Sequence, residues 1–335
     1  MSADLTTHYG GLTLRSPVVV GACPLMANEP LRSECIAAGA GAIVLPSLFE
    51  EQVSRFNDHR NLDNPPPISP ISEVDEQSFG HDAWTYLSFV NRCSVVSAVP
   101  VIASINGSHA ETWVGFASEL EEAGAAAIEL NVYHSPQEDF ADPRLMEDKV
   151  VDAVTAIRKA VLIPVFVKLC RQYTSVPYLV KRLVGQANGV VMFGRQPDVD
   201  ICLDEVRLKS KWELTPSGVI SHSLGMIMQT HKFCPELSIA ASGGVGASVD
   251  VVRALLAGAD VAMVTSAIYR EGPAVIHAFL NGLKSFMETQ KLGSMSELYS
   301  HRPLDFATDD DRARYAEALS SRHPPSDDLA KAQLR

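Results

Sequence analysis

Residues Leu237 to Ala267 read LSIAASGGVGASVDVVRALLAGADVAMVTSA. A short apolar run leads into a Ser-Gly-Gly turn, a helical pattern, a glycine break and a second apolar run that ends in Thr265-Ser266. This is a strand–helix–strand unit whose two strands end in small residues able to form hydrogen bonds. Gly243 and Gly244 carry no Cβ, so their backbone N–H groups can close on an anion. The helix expected to begin near Ala247 aims its positive end at the same place. Ser242, Thr265 and Ser266 add hydroxyl donors. In a (β/α)8 barrel the loops after the last two strands commonly form a phosphate site. A tight turn with small residues chosen for packing is the other reading of the same stretch.

A recurring phrase extends this unit to the rest of the chain. It occurs as AGAGAIVLP from Ala38, AGAAAIELN from Ala123 and AGADVAMVT from Ala257. Each copy reads as a helix ending at a glycine C-cap, followed at once by a buried parallel strand. Gln186-Ala187-Asn188-Gly189 before VVMF is a weaker fourth copy. Eight strands are expected, near 18–21, 42–45, 101–105, 127–131, 165–169, 189–193, 238–241 and 261–264. Helical patterns between them include 110–123, 143–160, 176–185 and 248–257. Eight such units predict an α/β fold of the closed (β/α)8 TIM-barrel type. An open doubly wound sheet is the rival, weakened because no GxGxxG follows the first strand. Two long connections, 47–82 and 194–221, lie over the C-terminal face, where ordered loops act as lids. The expected division is a barrel over 1–292 and a polar helical appendage with a tail over 293–335.

The chain has 335 residues, 46% hydrophobic and 20% charged, with a formal net charge of -12. An acidic chain without a Lys/Arg cluster is a poor nucleic-acid binder. Its six cysteines are scattered, with no CxxC pair for a metal, a cluster or a redox dithiol. Reduced thiols in a cytoplasmic protein are expected, with no metal. MSADLTTHYGG lacks the regions of a signal peptide, and no apolar run is long enough to span a bilayer.

Function in a barrel is read at the C-terminal strand ends. Strand 1 ends in Gly21-Ala22-Cys23-Pro24, strand 2 in Pro46-Ser47 and then Glu50-Glu51, and strand 3 in Asn106-Gly107. Strand 4 ends in Glu129-Leu130-Asn131-Val132-Tyr133-His134, strand 5 in Lys168 and strand 6 in Phe193-Gly194-Arg195. Asn106, Asn131 and Lys168 are the polar groups expected to point inward. An amide offers donors and an acceptor to the edge of a heteroaromatic ring. A lysine on a central strand is costly to bury unless it meets an anion. The alternative for Lys168 is a structural ion pair with Glu129. Glu50 and Glu51 are expected on a solvated loop, and Cys23 and Cys170 as packing residues.

The phrases SPVVVGACPL at Ser16, VIASINGS at Val101, IELNVYHSP at Ile128, IPVFVKL at Ile163 and ASGGVGASVDVVRALLAGADVAMVTSAI at Ala241 stand in one order along nearly the whole barrel portion. In that order and spacing the chain resembles the dihydroorotate dehydrogenase family of FMN-dependent barrels. The resemblance implies that Ala22, Asn106, Asn131 and Lys168 contact the isoalloxazine or ribityl chain of FMN. It implies that Ser242, Gly243, Gly244, Thr265 and Ser266 hold its phosphate. The chain also departs from the family. Pro46-Ser47 stand where the family has a lysine, His134 stands about where its base sits, and Pro136 and Gly194 replace substrate-binding asparagines. A site that has lost such donors binds the original substrate far less well. The expected substrate is therefore a small molecule other than dihydroorotate, as in divergent dihydroorotate dehydrogenase-like chains.

His134 is the candidate general acid or base, because an imidazole titrates near neutrality. Tyr133 is the competing donor, and a plain surface loop is the alternative for both. Arg195 and His222 are candidate partners for a substrate carboxylate. Three functions stay open. One is an FMN oxidoreductase acting on a C–C or C=C bond of a small molecule. The second is a non-flavin lyase or isomerase using the phosphate pocket, and the third a non-catalytic subunit. For electrons the sequence suggests an electron-transfer partner protein, a soluble acceptor or oxygen, and not a membrane quinone. A homodimer is a further expectation from the resemblance.

Overall fold

The computed structural model describes residues 3–53, 83–107, 109–132, 142–195 and 198–303, with isolated positions between 313 and 320. The chain divides into two compact units, Met1–Arg302 and Pro303–Arg335. In the second unit the described positions Ala313, Ala316, Glu317, Leu319 and Ser320 are helical and exposed.

The first unit opens with a hairpin, β1 (Thr7–Tyr9) and β2 (Leu12–Leu14). Eight parallel strands then close on themselves: β3 (Val18–Val20), β4 (Ala42–Phe49), β5 (Val101–Asn106), β6 (Ala127–Asn131), β7 (Val165–Leu169), β8 (Gly189–Met192), β11 (Ser238–Ser242) and β12 (Val261–Val264). The strands β9 (Asp198–Cys202) and β10 (Arg207–Lys211) form a separate antiparallel ribbon. Helices connect the barrel strands: α1 (Glu29–Ala37), α2 (Ala83–Val96), α3 (Ala110–Glu122), α4 (Pro143–Ala160), α5 (Val176–Leu183), α6 (Ser221–Phe233) and α7 (Ser248–Leu256). After β12 come α8 (Ser266–Glu271), α9 (Ala274–Thr289) and α10 (Met295–Ser300). The closed parallel barrel is the one expected from the sequence.

The Ala-Gly-Ala phrase does the same structural job three times. Gly39, Gly124 and Gly258 adopt φ of 109°, 93° and 120°, a region that costs a glycine nothing. Each glycine N–H donates back to the residue three before it, and the next alanine N–H to the residue five before it. This is the Schellman arrangement, which satisfies the last carbonyls of the helix. The residue after that then pairs with the preceding strand: Gly41 with Val18, Ala126 with Val101 and Asp260 with Ile239, at 2.7–2.8 Å. One short phrase thus ends a helix and sets the register of the strand it leads into.

β4 differs from expectation. The proline at 46 suggested a strand ending near Leu45, but the strand runs to Phe49, with a register shift between Val44 and Ser47. A bulge accommodates a residue that cannot donate to the ladder. The Tyr86 hydroxyl fills the gap. It accepts from Ser104 N–H and lies within donating distance of the carbonyls of Pro46 (2.9 Å) and Ser104 (3.0 Å).

The barrel interior is packed at its N-terminal end. Tyr9 and Leu14 of the hairpin join Val19, Ile102, Phe166 and Val191 in one buried cluster. The Tyr9 ring stacks on Phe166 with centroids 4.1 Å apart. Alanines at 42, 127 and 240 leave room for these rings. The interior is stoppered from below, and the strand ends above it are the open side. Arg302 closes the unit by donating to the carbonyls of Leu255 and Ala259 at the end of α7. No helix among the described residues is long and apolar enough to cross a membrane.

Candidate active site

Strand parity decides what faces the barrel axis. Successive side chains alternate between faces, so residues two apart from the interior cluster share its side. Counting upward from Ile102, Ala127 and Phe166 reaches Asn106, Asn131 and Lys168 at the C-terminal ends of β5, β6 and β7. The sheet register pairs Asn106 with Asn131 and Asn131 with Lys168. Three polar residues therefore stand side by side on adjacent strands, as parity and register require.

One layer below lies a second polar row. Ser47 and Ser104 share a hydrogen bond of 2.7 Å. Glu129, fully buried, faces Ser104 across the ladder. Lys168 Nζ reaches down to Glu129 Oε1 at 2.9 Å. The other carboxylate oxygen, Oε2, is buried with no hydrogen-bond partner among the described residues. The ion pair considered for Lys168 is thus present. Its carboxylate is only half satisfied, and the Lys168 side chain keeps 13% of its surface open against 1% for Glu129. Gly194 lies against this lysine: a Cβ there would sit 3.3–3.5 Å from its Cγ, Cδ and Cε.

The opposite side of the mouth is built from β11, β12 and the end of β3. Gly243 and Gly244 have successive φ values of 91° and 89°, a conformation that glycine adopts without steric cost. Neither N–H donates to a partner among the described residues. At Gly244 a Cβ would lie 2.6 Å from the Ile220 backbone nitrogen, so the segment before α6 rests directly on this turn. Gly218 N–H also donates to Gly244 O at 2.9 Å. Thr265 Oγ1 covers the end of β3, where a Cβ on Gly21 would be 2.7 Å from it. Ser266 Oγ accepts the N–H of Thr215 at 3.1 Å and keeps its own proton to donate. Ala22 packs on the interior cluster.

The helix contribution differs from expectation. The N–H groups of Gly246 and Ala247, just before α7, both donate to Asp250 Oδ2 at 2.9 and 3.0 Å. The buried Asp250 carboxylate caps that end, because a side-chain oxygen satisfies orphan amides of the first turn. An anion at this mouth would depend on the Gly243-Gly244 amides and the two hydroxyls instead of on the α7 terminus.

Several candidate residues lie elsewhere. Arg195 binds Asp198 Oδ2 (2.5 Å), the carbonyl of Glu213 and Thr215 Oγ1, so its guanidinium anchors the base of the ribbon. His222 is exposed in the first turn of α6, where its carbonyl accepts from Arg171. Tyr133 and His134 lie outside the described residues, as do Pro136 and most of 47–82.

Glu50 is not on a solvated loop. Its carboxylate accepts the His109 backbone N–H (3.1 Å) and meets His109 Nδ1 (3.0 Å), and a Cβ on Gly107 would collide with it. This clip across the ends of β4 and β5 escaped the sequence because its halves are distant in the chain. The glycine at 107 was its one local signal.

Cys23 follows Ala22 at the mouth. Burial pushes its thiol up to about 11, against the opposing pull of the Leu25 and Met26 N–H groups, the Lys168 charge and Tyr269. A thiol raised this far is protonated at neutral pH and a poor nucleophile. Because the folded value exceeds the unfolded one, the associated stability is intact below pH 9 and is lost as pH rises toward 11. At pH 7.5, iodoacetamide should label Cys202, which is partly exposed on the ribbon, at least about 10-fold faster than Cys23. Peptide mass mapping checks this, and equal rates would contradict the buried thiol.

The residues at the mouth fit a flavin mononucleotide. A lysine with a half-satisfied counter-ion and two amides suit its ring edge, and free backbone donors with hydroxyls suit its phosphate. Comparison with known proteins agrees with that fit. The family profile described as dihydroorotate dehydrogenase matches residues 5–287. A putative dihydroorotate dehydrogenase A (fumarate) of Aeropyrum pernix is 30% identical over 310 residues, covering 89% of this chain and 98% of the relative. The catalytic subunit of dihydroorotate dehydrogenase B (NAD(+)) of Thermoplasma acidophilum is 24% identical over 306 residues, covering 88% and 98%.

Proposed function

The chain belongs to the dihydroorotate dehydrogenase family, a family of flavin oxidoreductases acting on CH–CH groups, and from that premise we propose that it binds FMN and oxidises or reduces a small molecule other than dihydroorotate. The observation carrying the cofactor reading is the pair of amides at Gly243 and Gly244, unengaged among the described residues, beside Thr265 and Ser266 at the end of the neighbouring strand and linked through Phe193 and Gly194 to Lys168. Bound FMN supplies two-electron redox chemistry at a carbon–carbon bond.

The rest is done by the chain's own groups. The Gly243 and Gly244 amides with the Ser242, Thr265 and Ser266 hydroxyls would hold and orient the phosphate by donating hydrogen bonds. Asn106 and Asn131 would hydrogen-bond the edge of the flavin ring, and the Ala22 backbone would pack against it. Lys168 meets negative charge at that edge, and its tether to Glu129 keeps the ammonium in place. His134 handles the substrate proton, with Tyr133 as the second candidate. Arg195 would reach a substrate carboxylate only if the ribbon base rearranged, since it is held by Asp198, Glu213 and Thr215, whereas His222 would do so from the first turn of α6. A soluble acceptor or an electron-transfer partner protein takes the electrons, and the site works in the cytoplasm.

The substrate reading rests on Gly194 and Pro136, where the resemblance leads one to expect amide donors. A buried site built to bond an amide-rich ring loses orders of magnitude in affinity when such donors go. The relatives' names favour dihydroorotate itself, so the test includes it. The purified chain should be yellow, with a flavin absorption band, and release FMN on heating. Anaerobic dihydroorotate should leave that band unbleached. A colourless protein that takes up no FMN sinks the cofactor reading. Rapid bleaching by dihydroorotate keeps the cofactor and sinks the substrate reading.

A further inference from the structure

The bulge at Pro46 reverses the faces of the strand end that follows it. Val44 lies in the barrel interior, so unbroken alternation would turn residues 46 and 48 inward and 49 outward. The register shift between Val44 and Ser47 inserts one extra residue and exchanges the two sets. Leu48 is accordingly buried in the layer between strands and helices. Ser47 bonds Ser104 inside the barrel, and Phe49, two residues on, shares its face. The register sets Phe49 beside Asn106. The inward row at the mouth therefore continues through Phe49, Asn106, Asn131 and Lys168, on strands about 4.8 Å apart.

Phe49 is the odd member of that row. It is 50% exposed, and among the described residues it is the one large apolar side chain of a barrel strand that stands open. Single apolar residues exposed on helices and loops need no explanation. An aromatic ring among amides at the mouth of a site offers a flat apolar face to whatever enters. No other aromatic ring packs on it among the described residues. Its backbone is held on both sides. The Phe49 N–H donates to Gln52 Oε1 at 2.8 Å, and the next residue, Glu50, is clipped to His109 at 3.0 Å. A ring on so fixed a stem loses little freedom when a ligand covers it.

We propose that Phe49 is the platform on which the substrate stacks, and that the substrate carries an aryl ring next to its reacting carbon–carbon bond. This deepens the proposed function by naming the substrate class, and it rests on the barrel mouth being the active site. Two observations favour a substrate ring over the cofactor ring. The flavin edge is polar and is matched by Asn106, Asn131 and Lys168, whereas a phenyl group can satisfy no hydrogen bond. The rim also lacks a donor at Gly194, where an amide was expected, while it presents an apolar ring at Phe49. A rim with fewer donors and an added aromatic face suits an apolar planar ring better than an amide-rich one.

Equilibrium dialysis of the full chain with radiolabelled trans-cinnamate and with crotonate tests it. Both acids carry a C=C bond conjugated to a carboxylate, and they differ in a phenyl group for a methyl. The wild type should bind cinnamate at least about 10-fold more tightly than crotonate. Phe49→Ala should remove most of that preference, and Phe49→Tyr, which keeps the flat face, should retain it. The flavin-to-protein absorbance ratio and the melting temperature, read on the same samples, should not change in either variant. A wild type without the preference overturns the proposal, as does a preference that survives Phe49→Ala. Loss of flavin in Phe49→Ala also overturns it, by giving the ring to the cofactor. A lowered melting temperature does so by giving it to another segment of the chain. A colourless protein with a Phe49-dependent preference would sink the cofactor reading and support the platform.

Discussion

Gly243→Asp should leave a folded barrel with less than a tenth of the wild-type flavin. Two effects combine at this position. The backbone φ is 91°, and a residue with a Cβ pays about 1–2 kcal/mol to remain in the left-handed region. The carboxylate would also sit where a phosphate dianion is held by backbone amides, which turns attraction into repulsion inside a site sheltered from water. Gly243→Ala separates the two. A Cβ at 243 meets nothing closer than Phe193 O at 3.6 Å, an ordinary contact, so alanine imposes the backbone cost alone and should retain most of the flavin. The ratio of flavin to protein absorbance, read beside the melting temperature, is the measurement. Aspartate with full flavin would remove Gly243 from the phosphate site. Loss of flavin in the alanine variant as well would mean that turn geometry, not charge, controls binding.

Lys168→Met should be the most destabilising single change at the mouth. Glu129 is fully buried, and among the described residues one of its oxygens lacks a partner and the other is held by Lys168. Removing the lysine strands a charge in the barrel interior, and breaking one side of such a pair costs about 3–5 kcal/mol. Urea unfolding gives the number. Lys168→Met with Glu129→Leu removes both charges together and should recover most of the loss. The double variant also separates the two roles of Lys168. If the lysine meets the flavin edge, the double variant regains stability but binds FMN more weakly than wild type. If the lysine serves only Glu129, both properties return. A Lys168→Met protein as stable as wild type would mean that the buried pair is not formed.

The barrel was legible because its cues are local. A Schellman turn and the strand it feeds fit within nine residues, so reading AGAGAIVLP, AGAAAIELN and AGADVAMVT amounts to reading three turns and three strands. The inward row was legible for a related reason. Amides and a lysine at the ends of otherwise apolar strands mark Asn106, Asn131 and Lys168 by their chemistry, and the interior cluster of Ile102, Ala127 and Phe166 then puts them on the same face by alternation. What failed depended on distant partners. Pro46 reads locally as a strand end, and only Tyr86, bonded to its carbonyl, lets the strand continue. Glu50 reads as solvated until His109 comes over it. The positive end of α7 reads as free until Asp250, three residues into the helix, proves to point back at it. The stopper escaped altogether: nothing near Tyr9 announces that its ring will lie on Phe166.

The seam of the barrel has a consequence for its manufacture. Val18–Val20 is made before every other barrel strand, yet one of its neighbours, β12, is made after all of them. β3 can meet β4 early, but its other edge stays uncovered until the other barrel strands have been made. Contacts this remote in sequence form late, and an open apolar edge is the kind of surface on which nascent chains aggregate. The period of greatest risk for this protein therefore falls during its synthesis, when chaperone supply and the pace of translation, more than the stability of the finished barrel, should set how much of it a cell recovers.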